Sequence, residues 1–154
     1  MIDKASLTKF IETYNEGSEY FLVDMTISKN NEIVVEIDCF EGVDIDYCVA
    51  LTRAIEAEFN RDEEDYELEV GSAGLTSPFK VIQQYQKNIG KEVEVLTSDG
   101  KKLKGTLDQV LNDEFSIIVK EKVKKEGAKR PVIEDVEYKF KYNQVKYTKY
   151  FLQF

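Results

Sequence analysis

Leu7, Phe10, Ile11 and Tyr14 recur at helical spacing and draw a single apolar stripe along the start of the chain. Asp3 stands where an N-cap belongs and Gly17 where such a helix ends, so the spacing predicts a helix between them. The period then drops to two. Phe21, Val23, Met25 and Ile27 alternate with Leu22, Asp24, Thr26 and Ser28, and after "KNN" the alternation resumes at Ile33, Val35 and Ile37. This predicts a hairpin turning at Asn30 and Asn31, since asparagine tolerates positive φ. Helical spacing returns at Ile45, Cys48, Leu51, Thr52, Ile55 and Phe59, with Asp44 as the cap. The polar run "NRDEED" breaks that helix, and "YELEV" forms a third strand.

Two helices in the order helix, strand, strand, helix, strand can cover one face of a small sheet. The first half therefore reads as an α-β-β-α-β sandwich, KH-like or ferredoxin-like in appearance, small enough to be marginal alone. After Pro78 the texture changes. A short helix, "PFKVIQQYQKN", with Ser77 and Pro78 as its cap and first turn, leads to Gly90. Alternating runs then follow at short intervals: "KEVEVLT", "KKLKGTLDQVL", "EFSIIVKEKV", "PVIEDVEYKFKY" and "VKYTKYFLQF". The segments "SDG", "ND" and "KKEGAKR" and a turn near Asn143 separate them, which predicts a small β-barrel. The expected fold class is α+β in two domains, residues 1–79 and 80–154.

Charge divides at the same joint. Residues 1–79 carry 5 basic and 19 acidic side chains, net −14, whereas residues 80–154 carry 16 and 11, net +5. The whole-chain net of −9 therefore conceals a bipolar molecule, with an acidic half suited to basic proteins and a basic half that tolerates phosphate. Histidine is absent, which removes the commonest general base and the imidazole metal ligand, and with them triads and most zinc chemistry. Cys39 and Cys48 make neither a disulfide framework nor a zinc pattern and read as small core residues. The opening "MIDKASLTKF" has no signal-peptide character and no apolar run approaches membrane-spanning length, so a cytoplasmic protein is expected.

Several segments have candidate chemistry. Asp38, Glu41, Asp44 and Asp46 could hold a hard cation, as a carboxylate-metal hydrolase would need, but their spacing is not that of an EF-hand and a capped helix start explains them better. The glycines of "GSAG", residues 71–74, are spaced as in a nucleic-acid backbone clamp, yet Glu67 and Glu69 precede them and no lysine or arginine accompanies them. A joint between domains is the simpler reading. "KKLKGTLDQVLNDEFSI" looks like the first half of an Sm-type barrel motif, with Gly105 bending a strand, Leu107 filling the core, and Asp108 or Asp113 and Asn112 following.

In "YKFKY", Tyr138, Phe140 and Tyr142 fall on one strand face, the barrel core, and Lys139 and Lys141 on the other, where they could touch phosphate. "VKEKVKKEGAKR" reads as a charged hairpin bearing Lys120, Lys122, Lys124, Lys125, Lys129 and Arg130, either a solvated loop or a basic finger for RNA. With Lys101, Lys102 and Lys104, these side chains are the candidate RNA contacts.

With both halves in place, the chain resembles the RimP family of bacterial ribosome maturation factors along nearly its whole length. An "IDxxxG" segment uses Ile37, Asp38 and Gly42, a helix carries Cys48 and Arg53, and a strand and loop resemble "YxLEVSSPGL". There the chain keeps Tyr66, Leu68, Glu69, Val70, Ser72, Gly74 and Leu75, ahead of Pro78. It departs at Gly71, Ala73, Thr76 and Ser77, the last two standing where an Asp-Arg pair is usual, which removes the loop's natural phosphate contact. The resemblance implies a non-enzymatic protein with an α/β N-terminal domain and an Sm-like C-terminal barrel. It implies no cofactor, no membrane and no small-molecule substrate. The implied partner is the small (30S) ribosomal subunit, met as a monomer during late assembly through a ribosomal protein and 16S rRNA. In that setting Asp38, Glu41, Asp44 and Asp46 are candidates for docking a basic protein. The competing expectation is an Sm-type module acting on small RNAs.

Overall fold

Asp3 accepts a hydrogen bond from the Ser6 N–H at 3.1 Å and starts α1 (Lys4–Asn15), and Gly17, at φ +77°, turns the chain out of it. The computed structural model describes residues 2–123, 126–127 and 129–151. The chain divides into two compact units, Met1–Gly74 and Leu75–Phe154.

In the first unit, β1 (Tyr20–Ile27) and β2 (Glu32–Cys39) form the expected hairpin, closed by Asn31 at φ 59°. Helix α2 (Ile45–Glu58), capped by Asp44, crosses to β3 (Glu67–Ser72), which pairs parallel to β2. Leu7 and Ile11 of α1, Leu51 and Ile55 of α2, and Met25, Ile33, Val35 and Ile37 of the sheet make the core. Tyr66 closes one end of it, its hydroxyl donating to the Phe59 carbonyl at 2.6 Å.

One departure from simple alternation lies in β1. A bulge between Leu22 and Asp24 shifts the register, so Leu22 faces Ile37 and Tyr20 faces Cys39, on the side of Met25, while Phe21 faces Asp38 on the other side. Phe21 packs its ring 5.4 Å from Phe40 instead of joining the core stripe. An extra residue in one strand reverses every side chain beyond it, and no hydrophobic pattern marks where that happens.

The second unit begins with a correction. The helix expected at Pro78 starts at Ile82: α3 (Ile82–Lys87) is entered through an extended Val81, and the Phe79 N–H ahead of it donates to the Thr148 carbonyl at 2.8 Å. The Gln84 side-chain oxygen, accepting from the Lys80 and Val81 N–H groups, takes the capping role expected of Ser77.

Strands β4 (Glu92–Thr97), β5 (Lys102–Val110), β6 (Glu114–Val123), β7 (Val132–Lys141) and β8 (Val145–Tyr150) form one antiparallel sheet in the order β7-β6-β5-β4-β8. The expected barrel is not closed, because no pairing of β7 with β8 joins the two edges among the described residues. β7 pairs with β6 along its whole length, and the single 3-10 turn Tyr142–Gln144 then delivers the chain to β4.

Val93, Val95, Leu103, Leu107, Phe115, Ile117 and Val119 fill one face of this sheet, against Tyr85 of α3. β5 and β6 approach most closely at Gly105, where a Cβ would stand 2.6 Å from the Ile118 carbonyl oxygen and 3.0 Å from Val119 Cγ2. Backbone cannot yield as a flexible side chain does. Gly105→Ala is expected to destabilise the protein by about 1–3 kcal/mol, whereas Gly71→Ala, whose Cβ would meet nothing within 4 Å, should fall within about 0.5 kcal/mol of the parent. Chemical denaturation of both variants checks this.

Candidate nucleic-acid interface

Directly opposed residues of neighbouring strands share a face, so the ladder registers place the lysines. Lys104 faces Glu94 and Lys102 faces Leu96 across β5 and β4, Thr106 faces Ile118 across β5 and β6, and Lys120 faces Asp135 across β6 and β7. Alternation then sets Lys102, Lys104, Lys120, Lys122, Lys139 and Lys141 on one face, opposite to the core. All six side chains are exposed. Lys149 of β8 joins them opposite Glu94.

The basic surface expected of a hairpin finger is thus mainly a sheet face. Lys129 and Arg130 are exposed in the β6–β7 connection, and Lys124 and Lys125 lie outside the described residues. Lys101 sits just before β5 and projects elsewhere, its ammonium 5.5 Å from the centroid of the Tyr138 ring.

Carboxylates temper this face without neutralising it. Lys149 pairs with Glu94 at 3.6 Å and Lys139 with Glu137 at 3.8 Å. The Tyr147 hydroxyl donates to Glu94 at 2.8 Å and is the chief reason that this carboxyl is held below its ordinary range, assisted by Lys149, Lys102 and Lys104. Lys104 also lies over the Phe151 ring at 4.3 Å, so its stem is positioned while its charge remains at the surface. Between the strands, Lys104, Thr106, Ile118, Lys120 and Asp135 line a shallow depression. Such a face offers several cations to a polyanion and no catalytic group.

The other candidates separate. Gly71 and Ser72 of "GSAG" belong to β3, Gly71 opposite Glu36 and Ser72 opposite Ile37, so the segment is half strand and not a clamp loop. Leu68 and Val70 pack against the core, Glu69 is exposed, and Gly74, Leu75 and Pro78 follow as exposed residues of the connection. Asp44 accepts from the Asp46 N–H at 2.9 Å as the cap of α2, Asp38 accepts from the Cys39 N–H at 2.8 Å, and Glu41 is exposed in the turn between. Among the described residues no three acidic or cysteine side chains converge on a point that could hold a cation. Cys39 is buried, Cys48 is half-buried, and both are free thiols.

The Sm-type positions are distributed by role. Gly105 makes the close approach to β6, Leu107 is fully buried, Asp108 stands in a bulge of β5, and Asn112 and Asp113 are exposed in the β5–β6 turn. Sequence reasoning missed the aromatic ladder beneath that turn. Tyr85 meets Phe79 and Tyr142 edge to face, each at 5.0 Å, and Tyr142 stacks on Phe115 at 5.4 Å. The signal was present as Phe79 ahead of a short helix and Tyr85 within it, but nothing in the spacing joins them to Tyr142.

Residues 10–76 match the family model of the RimP N-terminal domain. A ribosome maturation factor RimP of Porphyromonas gingivalis is 47% identical over 130 residues, covering 84% of this chain and 86% of the relative. The chain belongs to the RimP family. Other members bear the same name: that of Cytophaga hutchinsonii is 32% identical over 137 residues, 80% of this chain and 82% of its own, and that of Christiangramia forsetii is 37% identical over 99 residues, 64% and 65%. The family model covers the acidic unit, and the longer alignments carry the family likeness into the lysine-bearing strands.

Burial, followed by the neighbouring Tyr85 and Asp113, pushes the Tyr142 phenol up to about 12. The native state therefore holds a proton that the unfolded chain releases near the ordinary value of 10.0, and the stability this contributes is complete below that pH and lost as pH rises toward 12. Spectrophotometric titration should find one phenol fewer ionising above the ordinary value in Tyr142→Phe than in the parent, and that variant should lose stability less steeply between those two pH values.

Proposed function

We propose that this protein is a ribosome maturation factor that binds the free small (30S) ribosomal subunit during late assembly, as a monomer in the cytoplasm and without catalysis. The observation that carries the reading is 47% identity, over most of both chains, to a relative named as a ribosome maturation factor. The lysine face supports it, since exposed cations with few fixed partners bind a phosphate backbone by releasing its counterions.

The two compact units act in this reading as domains of opposite charge. The C-terminal unit is an Sm-like module that faces 16S rRNA through its lysines. The N-terminal unit, with its large acidic excess, docks a basic ribosomal protein at the start of α2, where Asp38, Glu41, Asp44 and Asp46 lie close in sequence. None of the six β5–β7 lysines is buried, so their removal should leave the fold intact.

Sedimentation of cell extract at low magnesium tests the assignment. The protein should travel with free small subunits and not with joined ribosomes. Changing Lys102, Lys104, Lys120 and Lys122 together to serine should weaken that association and flatten its salt dependence, by about 0.7–0.9 in log–log slope for each phosphate that is no longer neutralised. A wild-type protein found only at the top of the gradient, or a variant with unchanged affinity and slope, would contradict it.

A further inference from the structure

We propose that the free edge of β3 takes up an extended segment of a basic protein as a fourth strand of the N-terminal sheet, a segment whose residues are alternately apolar and cationic. The inference rests on the reading that the acidic unit docks such a protein, and goes beyond it by naming the strand edge, the conformation of the bound segment and its residue pattern.

The ladder uses only half of the hydrogen-bonding groups of β3. Alternate residues of a strand in a parallel pair direct both N–H and C=O to the same side. The Glu67 N–H donates to the Asn31 carbonyl and the Ala73 N–H to the Ile37 carbonyl, each at 3.0 Å, so residues of that parity serve β2. Leu68, Val70 and Ser72 therefore direct theirs to the open side, where nothing takes them up among the described residues. Exposed edges are ordinarily guarded by a bulge, a lysine or a proline. The opposite edge, β1, has its bulge between Leu22 and Asp24, whereas β3, with the sequence "ELEVGS", keeps an unbroken register and has none of the three.

An added strand would meet two unlike surfaces. On the helix side, Leu68 and Val70 are only half-buried beneath α2. Tyr47 marks the flank of α2 that meets α1, its ring 5.8 Å from that of Tyr14. At about 100° per residue, Ile45 and Val49 stand about 160° round the helix from Tyr47, turned away from α1. Ile45 is 78% exposed and Val49 44%. Apolar residues of the added strand would cover this flank together with Leu68 and Val70. On the other side of the sheet Glu67 and Glu69 are exposed, and Glu32 of β2 stands directly across from Glu67. Cations facing Glu67 and Glu69 would form cross-strand pairs and relieve the repulsion between Glu32 and Glu67.

The same carboxylates argue against other occupants. A second copy pairing β3 against β3 would bring glutamates beside glutamates, and an RNA strand would bring phosphates to them. A basic segment in extended form satisfies the open backbone, the apolar flank and the carboxylates together.

Hydrogen exchange of the intact protein, with a short peptide that alternates valine and lysine, tests the edge. The peptide should protect the Leu68, Val70 and Ser72 amides, and a peptide of the same composition with its lysines in one block should not. Ser72→Pro removes one outward N–H at an exposed position and should weaken binding of the alternating peptide by about threefold or more. Glu67→Gln with Glu69→Gln should weaken it to a similar degree while leaving a valine–threonine peptide unaffected. Both glutamates are exposed, so this second variant keeps fold and edge even where proline disturbs the strand. No protection at the three amides, or equal protection by both lysine peptides, overturns strand addition. So does a dimer in light scattering that Ser72→Pro dissociates, since that assigns the edge to a second copy. Sedimentation separates this inference from the broader one. If the wild-type protein does not travel with small subunits, the broader reading fails. If it does, and the glutamine variant travels equally well, strand addition alone fails.

Discussion

A sheet with cover on one side only must send its apolar residues to that side, and period-two alternation then delivers every intervening residue to the other. Both units obey this constraint, and the charged surfaces follow from it. In the C-terminal unit, Val93, Val95, Leu107 and Ile117 are fully buried, so the residues between and opposite them, Glu94, Lys104, Thr106 and Ile118, must share the reverse face. The lysine surface is thus a property of the strand register. In the N-terminal unit α1 and α2 cover Met25, Ile33 and Val35, and the reverse of the sheet carries Glu32, Glu36, Asp38, Glu67 and Glu69. There Glu32 lies directly opposite Glu67, an arrangement that costs stability and that the buried core offsets.

Because register decides which charges gather, the features that alter register matter most, and these were least legible in the sequence. Helices α1 and α2, the hairpin at Asn31 and all eight strands could be read from spacing, since each has an unbroken apolar period and a recognisable stop. The bulge in β1 could not, because Phe21, Val23 and Met25 satisfy the alternation equally well on either side of an inserted residue. Nor could the open edge of the C-terminal sheet. Five strands in succession are compatible with closure, and only the pairing of β7 with β6 from Val132 to Lys141 shows where β7 goes.

Of the candidate site, the lysines were legible as residues but not as a surface. "VKEKVKKEGAKR" suggests a solvated loop or a basic finger when read alone, yet Lys120 and Lys122 lie in β6, on the sheet face that also carries the lysines of β5 and, from β7, Lys139 and Lys141. The start of α3 failed for a similar reason. Ser77 and Pro78 form a good local cap, but the Phe79 N–H bonds to β8 and its ring packs on Tyr85, and those long-range contacts outweigh a local preference.

The same long-range contacts hold the strands that carry the lysines in place. Phe79 and Tyr142 complete a core whose centre is Phe115 and Tyr85, and through the Phe79 N–H and the Tyr142 hydroxyl they tie α3 and the β5–β6 turn to the sheet. A lysine face alone would bind any phosphate backbone and could not tell one RNA segment from another.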